Sequence, residues 1–163
     1  MTARVTTLKG ADAGLYYVEA LPSYYLDKDE PAGRWQGRGA DLLGLRGEIV
    51  DADFLDVTAG IHPRSGGATL GRAYGEESVR GVDITASAPK SVSTLFALGD
   101  AFVRAEVLAA HDAAVASMVG WVQDHAHTRY RISGQVSIVD AEGIIAATFR
   151  QHTSRALDPQ LHT

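Results

Sequence analysis

Cysteine and asparagine are both absent from the 163 residues of the chain. The lack of cysteine excludes disulfide scaffolds, thiolate zinc sites, iron–sulfur centres and cysteine nucleophiles. No apolar run approaches the roughly 20 residues that a membrane-spanning helix needs. The N-terminal segment also lacks the apolar core of a secretory signal. We therefore expect a cytoplasmic globular protein with no membrane insertion.

Basic residues are fewer than acidic ones, 15 against 20, which gives a formal net charge of −5. A chain of this charge does not attract nucleic acid or an anionic membrane in bulk. Local contacts remain available, because arginine outnumbers lysine and its guanidinium binds phosphate in a bidentate geometry. No glycine-rich phosphate loop joins a strand to a helix, which disfavours a doubly wound nucleotide-binding fold.

The order of the predicted elements indicates a single α+β domain. Alternation of apolar and polar residues predicts strands at 1–10 and 81–87. Turn and capping signals predict helices at 40–45, 51–59, 89–99 and 100–125. Two β-rich runs around Gly143, 135–139 and 144–151, predict a hairpin. We expect an antiparallel sheet with helices packed on one face.

The long helix carries apolar residues at every third or fourth position, which predicts its buried face. These residues are Val103, Val107, Ala110, Ala114, Met118 and Trp121.

Two histidines flank a turn near the end of the chain, in the stretch FRQHTSRALDPQLHT (149–163). His152 would lie on the strand that enters the turn and His162 on the strand that leaves it. Imidazoles on neighbouring strands can point towards a single cation. Surface or hydrogen-bonded histidines are the commoner explanation of such a pair, so the residues alone leave both interpretations open.

Two tyrosine pairs, Tyr16-Tyr17 and Tyr24-Tyr25, lie near the N-terminus. Such aromatic residues usually pack in a core or an interface. A nucleophilic tyrosine would need a cation and a carboxylate nearby, because the phenol titrates near pH ~10. Asp83, on the polar side of its predicted strand, is a candidate for that carboxylate.

A third histidine pattern, His125-Ala126-His127, looks like a ligand pair but falls at a helix end. Residues two apart on a helix face different directions, so we expect these histidines to interact with the helix C-terminus instead. His62 and His111 are expected to be structural.

Several segments together resemble the N-terminal part of the relaxase domain of MobF-type, or TrwC/TraI-type, conjugative relaxases. They are the tyrosine pairs, RWQGRGADLLGLRGE (34–48), GVDITASAPKSVS (81–93), AAHDAAV (109–115) and FRQHTSRALDPQLHT. The resemblance implies a ferredoxin-like HUH relaxase sheet with the active site on one face, here incomplete at the C-terminus. It also implies nicking of single-stranded DNA at a plasmid transfer origin, by a tyrosine hydroxyl and a divalent metal, Mg²⁺ or Mn²⁺.

The resemblance assigns the tyrosines and the aspartate. Tyr16 and Tyr24 match the family's nucleophiles, and we favour Tyr16 for the first nick. Tyr17 and Tyr25 would pack or stack on DNA bases. Asp83 matches the aspartate that orients a metal-binding histidine or helps remove the tyrosine proton.

Two basic residues are candidates for DNA contact. Lys90, near the start of a helix, would touch DNA or remain solvated. Arg155 would hold either a phosphate or the carboxylate of Asp158.

The family's first metal-binding histidine falls at Gln151, one residue before His152. A shift of one residue along a strand turns the side chain to the opposite face. Either a bulge lets His152 take its place, or the Gln151 amide oxygen binds beside His162, or the site is weakened. An amide oxygen is acceptable to magnesium or manganese and poorer for softer metals.

The chain stops after His162, before the second histidine of the family's pair. We therefore expect residues 1–163 to be the N-terminal portion of a relaxase domain, truncated within the histidine motif and without robust nicking activity. The implied partners are single-stranded origin-of-transfer DNA and, in an intact protein, a C-terminal helicase and relaxosome or secretion coupling proteins. The alternatives are a DNA-binding remnant without catalysis and a small metal- or ligand-binding module.

Overall fold

The structure, a computed structural model, describes residues 1–15, 17–18 and 31–163. The elements of these residues, in chain order, are β1 (Thr2–Lys9), a 3₁₀ turn (Ala11–Ala13), β2 (Arg34–Gln36), α1 (Arg38–Leu42), α2 (Asp51–Ala59), β3 (Val79–Ser87), α3 (Lys90–Leu98), α4 (Ala101–Asp124), β4 (His127–Ile132), β5 (Gln135–Asp140), β6 (Ala146–Thr148), β7 (Gln151–Thr153) and β8 (Pro159–His162).

The main sheet has the strand order β1-β3-β8-β7, and all its neighbours are antiparallel. The β1–β3 ladder runs from Thr2, opposite Ser87, to Leu8, opposite Gly81, before its register shifts. β8 then joins β3 to β7, so the sheet brings both ends of the chain together. The predicted α+β class, with an antiparallel sheet and packed helices, is confirmed.

Helix α3 covers one face of this sheet. Leu161 of β8 is fully buried there, and its backbone N–H donates to the Oγ of Ser93 at 3.0 Å. Because side chains alternate along a strand, the neighbours of Leu161 point to the other face, which α3 leaves open.

The predicted helix ends are largely confirmed. Asp100 caps α4, since its Oδ1 accepts from the N–H of Val103 at 2.9 Å. Helix α2 has the predicted bounds and ends at Gly60, which adopts the left-handed conformation with φ 76°. Pro89 immediately precedes α3 instead of standing in its first turn.

The hairpin predicted at 135–151 is wrong. β5 pairs with β4 through a two-residue turn at Ser133 and Gly134, whose φ values are 48° and 86°. Two positive φ values suit the tight turns that match strand twist. β6 pairs with the distant β2 instead.

The predicted buried face of α4 is wrong at three of its six positions. His111 and Val115 are the buried residues of this helix, whereas Trp121 is 63% exposed. Ala110 and Ala114 are exposed as well. Alanines occur on every side of this helix, so periodicity did not distinguish its faces.

A hydrophobic core beside the sheet consists of Trp35, Ala40, Leu45 and Phe54. None of the helices in the described ranges is long and apolar enough to cross a bilayer.

Candidate active site

An open groove of about 1080 Å³ runs over the exposed face of the main sheet. Asp83 of β3 and His162 of β8 line it, together with Gln151, Arg155 and the N-terminal Arg4. Ala86 and Leu161 of these strands do not line the groove, since strand alternation turns them to the opposite face, whereas Val82 and Ile84 of β3 do line it. The groove therefore gathers polar residues from both ends of the chain.

Gln151 and His162 are direct cross-strand partners, and His162 also pairs with Ser87. Residues directly opposite in antiparallel strands share a face and have Cβ atoms about 4.5–5.5 Å apart. Gln151 is only 7% exposed, and His162 is half-buried. The two side chains are thus within reach of one bound ion.

The ring of His162 is oriented by its own strand. Its Nδ1 lies 2.9 Å from the carbonyl oxygen of Gln160. A carbonyl only accepts, so Nδ1 carries the proton and the lone pair is at Nε2. Metal-binding histidines commonly use this arrangement, in which the second ring nitrogen donates to a backbone carbonyl.

His152 is not brought beside His162. Alternation in β7 turns it away from the face of Gln151, and its ring contacts Phe96 of α3 with centroids 4.9 Å apart. The irregularity in the β7–β8 ladder lies beyond Gln151, towards Thr153, and leaves the Gln151–His162 pair in register. Of the three possibilities raised by the sequence, this geometry favours the amide of Gln151.

Within the described ranges, no group of three or more His, Asp or Glu side chains could hold a metal ion. The cross-strand pair Gln151–His162, called the rung below, offers one imidazole nitrogen and one amide oxygen. This donor set fits a divalent cation. Divalent cations such as Mg²⁺ complete their coordination with waters and substrate phosphates.

Asp83 lies on the face of the groove, half-buried, with its carboxylate 3.5 Å from the hydroxyl of Thr6. It is four residues from Ser87, which at the usual strand rise is about 13 Å along β3. Asp83 and the Gln151–His162 rung therefore occupy different ends of one groove.

Three of the four predicted tyrosines, Tyr16, Tyr24 and Tyr25, lie outside the described residues. Tyr17 packs against the core, with ring centroids 5.6 Å from Phe149 and 5.8 Å from Phe54. It also lines the groove.

Lys90 is engaged by the turn between β7 and β8. Its Nζ donates to Asp158 Oδ2 at 2.6 Å and to the carbonyl of Pro159 at 2.9 Å. The hydrogen bond from Lys90, helped by one from Ser154, lowers the pKa of Asp158. The sequence offered Asp158 or a phosphate as the partner of Arg155. Asp158 accepts a bond from Lys90, and Arg155 lines the groove.

His111, expected to be structural, fastens α4 to the end of the sheet. Its Nε2 lies 2.9 Å from the hydroxyl of Thr163, and only 5% of the residue is exposed. Burial lowers its pKa. Thr163 in turn exchanges two backbone hydrogen bonds with Ala86, so His111 supports the strand that carries His162.

His125 interacts with the C-terminus of α4, as expected, through a 2.8 Å contact between its Nδ1 and the carbonyl of Trp121. His127 belongs to β4 and lies 3.3 Å from Asp140.

In the β4–β5 ribbon, β5 matches the strand predicted at 135–139, whereas β4 and its pairing with β5 are features that the sequence reasoning missed. Every residue of both strands is exposed. Arg129 and Arg131 point to one face, opposite Ile138 and Val136, and Tyr130 points to the other. The alternation in HTRYRI before a Ser-Gly turn was the available signal.

Comparison with known proteins places the chain in a family. The TrwC relaxase family model matches residues 9–163. The multifunctional conjugation protein TraI of Escherichia coli is 39% identical over 149 residues, which are 86% of this chain and 8% of TraI. Conjugative relaxase TrwC, metal-bound and in complex with oriT DNA, superposes with a TM-score of 0.77 at 34% identity. A copper-bound TrwC complex gives 0.76 at 36% identity.

The antiparallel sheet and its groove have the HUH relaxase fold, that of the solved TrwC structures. The chain belongs to the TrwC relaxase family. It is covered to 99% by the two solved TrwC chains, of which it spans 54% and 55%.

Proposed function

We propose that this chain forms part of a relaxase active site that nicks single-stranded DNA at a transfer origin. The observation that carries the proposal is the pairing of Gln151 with His162 in one rung of the open groove. The same fold holds metal and oriT DNA in a TrwC structure.

The proposed chemistry is a transesterification. The hydroxyl oxygen of Tyr16 forms a bond to the scissile phosphorus while the bond to the 3′ oxygen breaks and that oxygen leaves as a hydroxyl. The phosphate stays on the tyrosine at the 5′ end of the cut strand, and the reverse reaction rejoins the DNA. Tyr24 would serve a second transfer. Asp83 is the carboxylate of the groove that would take the phenolic proton.

Gln151 and His162 would hold the divalent cation, Mg²⁺ or Mn²⁺ in our proposal. Such an ion neutralises charge on the non-bridging phosphate oxygens. His162 contributes Nε2 because Gln160 holds its other nitrogen. His152 is left out of the proposed site, since its ring packs on Phe96.

DNA contacts are proposed for Arg155, which lines the groove, and for Arg129 and Arg131 of the exposed ribbon. Guanidinium groups bind phosphate, and exposed aromatic rings stack on bases. Tyr25 retains its proposed stacking role. Lys90 and Tyr17 are left out of the proposed DNA contacts, because Lys90 is bonded to Asp158 and Tyr17 packs in the core.

The proposed DNA partner is single-stranded origin-of-transfer DNA. For an intact protein we also propose a helicase region and coupling to relaxosome and secretion proteins, consistent with the multifunctional character of its relative TraI.

A second candidate is a remnant that binds DNA without cutting it. The observation in its favour is that the described residues supply two donors in the rung and no group of three acidic or histidine ligands.

The test is adduct formation. The chain is incubated with single-stranded transfer-origin DNA and Mn²⁺ or Mg²⁺, and a covalent protein–DNA species is sought by denaturing electrophoresis. We expect a weak adduct, in keeping with the lack of robust nicking expected of residues 1–163. Tyr16→Phe should abolish it, and the matched control Tyr17→Phe should retain it. An equal adduct in Tyr16→Phe would move the nucleophile to Tyr24 or Tyr25, and DNA binding without any adduct would favour the remnant.

A further inference from the structure

We propose that Gln151 shifts the metal preference of this site towards the hard divalent cations Mn²⁺ and Mg²⁺ and away from Ni²⁺, Zn²⁺ and Cu²⁺, relative to a site with a histidine at this position. The inference rests on the proposed function, because it concerns the same site. It is carried by one juxtaposition, the amide of Gln151 directly opposite the imidazole of His162.

The two side chains differ in the ligand that they offer. An amide presents a carbonyl oxygen to a cation, since its nitrogen is a hydrogen-bond donor. Carbonyl and carboxylate oxygens suit magnesium, calcium and manganese, whereas imidazole suits zinc, copper and nickel. A rung with one imidazole and one amide therefore has one nitrogen donor fewer than a rung with two imidazoles.

The surroundings of Gln151 keep its amide at the site. The residue is only 7% exposed and contributes to the groove wall. The nearest imidazole in sequence, that of His152, packs on Phe96 at the opposite face. It could replace the amide only if β7 turned over, because successive residues of a strand face opposite sides.

A relative shows what the fold can hold. TrwC has been solved with copper bound, with a TM-score of 0.76 to this chain. Because the resemblance puts the family's first metal-binding histidine at residue 151, this is the position at which the chain would differ from its relatives in metal preference.

The experiment measures dissociation constants for Mn²⁺ and Ni²⁺ by isothermal titration calorimetry on the full chain and its variants. We expect Gln151→His to tighten Ni²⁺ binding at least about tenfold, the lower end of the effect of altering even a supporting group at a metal site. The affinity for Mn²⁺ should change little. Gln151→Leu should weaken binding of both ions, because it removes a donor.

Two further variants keep the test decisive. Gln151→Glu keeps an oxygen donor of the same length and should tighten Mn²⁺ more than Ni²⁺, so it serves if the histidine variant misfolds. His152→Leu is the matched control, since it alters the neighbouring residue on the opposite face, and it should leave both affinities unchanged. Circular dichroism checks that each variant is folded.

The inference is overturned if Gln151→His changes both affinities equally, if His152→Leu weakens Mn²⁺ binding as much as Gln151→Leu, or if the native chain binds neither ion. The adduct assay separates this outcome from the proposed function. If the native chain forms an adduct and Gln151→His leaves the metal selectivity unchanged, the proposed function stands and the inference is rejected. If Gln151→His alters the selectivity and the native chain forms no adduct, the inference stands and the proposed function is rejected.

Discussion

Lys90, the first residue of α3, is joined to Asp158, the residue before β8, by an ion pair of 2.6 Å. The same ammonium donates to the carbonyl of Pro159, where β8 begins. One lysine thus ties the covering helix to the turn that precedes the strand of His162. The Lys90 side chain therefore helps to position β8 from the helix-covered side of the sheet.

Replacing Asp158 by Asn should reduce stability at neutral pH and much less in acid. The pKa of Asp158 is lowered below its ordinary value of 3.8 by the bond from Lys90. A lowered carboxyl pKa contributes stability that is present above the ordinary value and lost as the pH falls through the folded value. Urea unfolding of both proteins from pH 7 to pH 2.5 measures this, and a gap that stays constant over the whole range would contradict it.

The free energy of unfolding should decline as the pH falls below the ordinary histidine value of 6.5, because burial lowers the pKa of His111. Below that pH the unfolded chain binds a proton at His111 that the folded chain does not bind. Stability is therefore lost as the pH falls from 6.5 to the lowered pKa of the folded state. His111→Gln should flatten this dependence between pH 7.5 and 5.5, as followed by urea unfolding. His125→Gln, which changes the exposed histidine that follows the same helix, is the matched control.

Gly37→Ala should destabilise the protein more than Gly44→Ala. Both glycines have positive φ, 91° and 73°, so alanine costs both of them roughly 1–3 kcal/mol of backbone strain. Only at Gly37 would the new Cβ also fall on the carbonyl oxygen of Ile144, whereas nothing lies within 4 Å at Gly44. Thermal unfolding compares the two variants. Equal shifts in Tm would show that the backbone at Ile144 moves away from the new Cβ at no cost in stability.

Arg129→Ala and Arg131→Ala should each weaken single-stranded DNA binding and lower its salt dependence. Removing one guanidinium that neutralises a phosphate should reduce the slope of log K against log salt by about 0.7. Fluorescence anisotropy at several salt concentrations gives the slope. Arg46→Ala is the control, because this exposed arginine pairs with Asp41; an equal weakening there would mean that the effect is one of net charge.

Local patterns predicted the elements better than their partners. Asp100 and Gly99 marked helix ends correctly because a cap is decided within a few residues. The hairpin at 135–151 was wrong because β6 pairs with β2, more than a hundred residues earlier in the chain. Pairing over such distances leaves no mark within a single segment.

The sequence named candidate residues for the site and determined their geometry only in part. Alternation along β7 and β8 already implied that Gln151 and His152 face opposite sides, but it could not say which of them stands opposite His162. That choice depends on the register between the strands. The position of β8 is fixed by its pairing with β3 at Ser87 and by the packing of Leu161 under α3. β4 was missed because it has no buried face to produce a hydrophobic signal, and β5, predicted at 135–139, was therefore given the wrong partner.

The strand order β1-β3-β8-β7 also bears on how the protein is made. β3 lies between β1, which is synthesised before it, and β8, which leaves the ribosome some seventy residues later. Contacts of such wide separation slow folding, because a long loop must close before they form. The floor of the groove is therefore assembled late, and until then the end of β3 at Ser87 exposes an unsatisfied edge to which other nascent chains, or a chaperone, can bind.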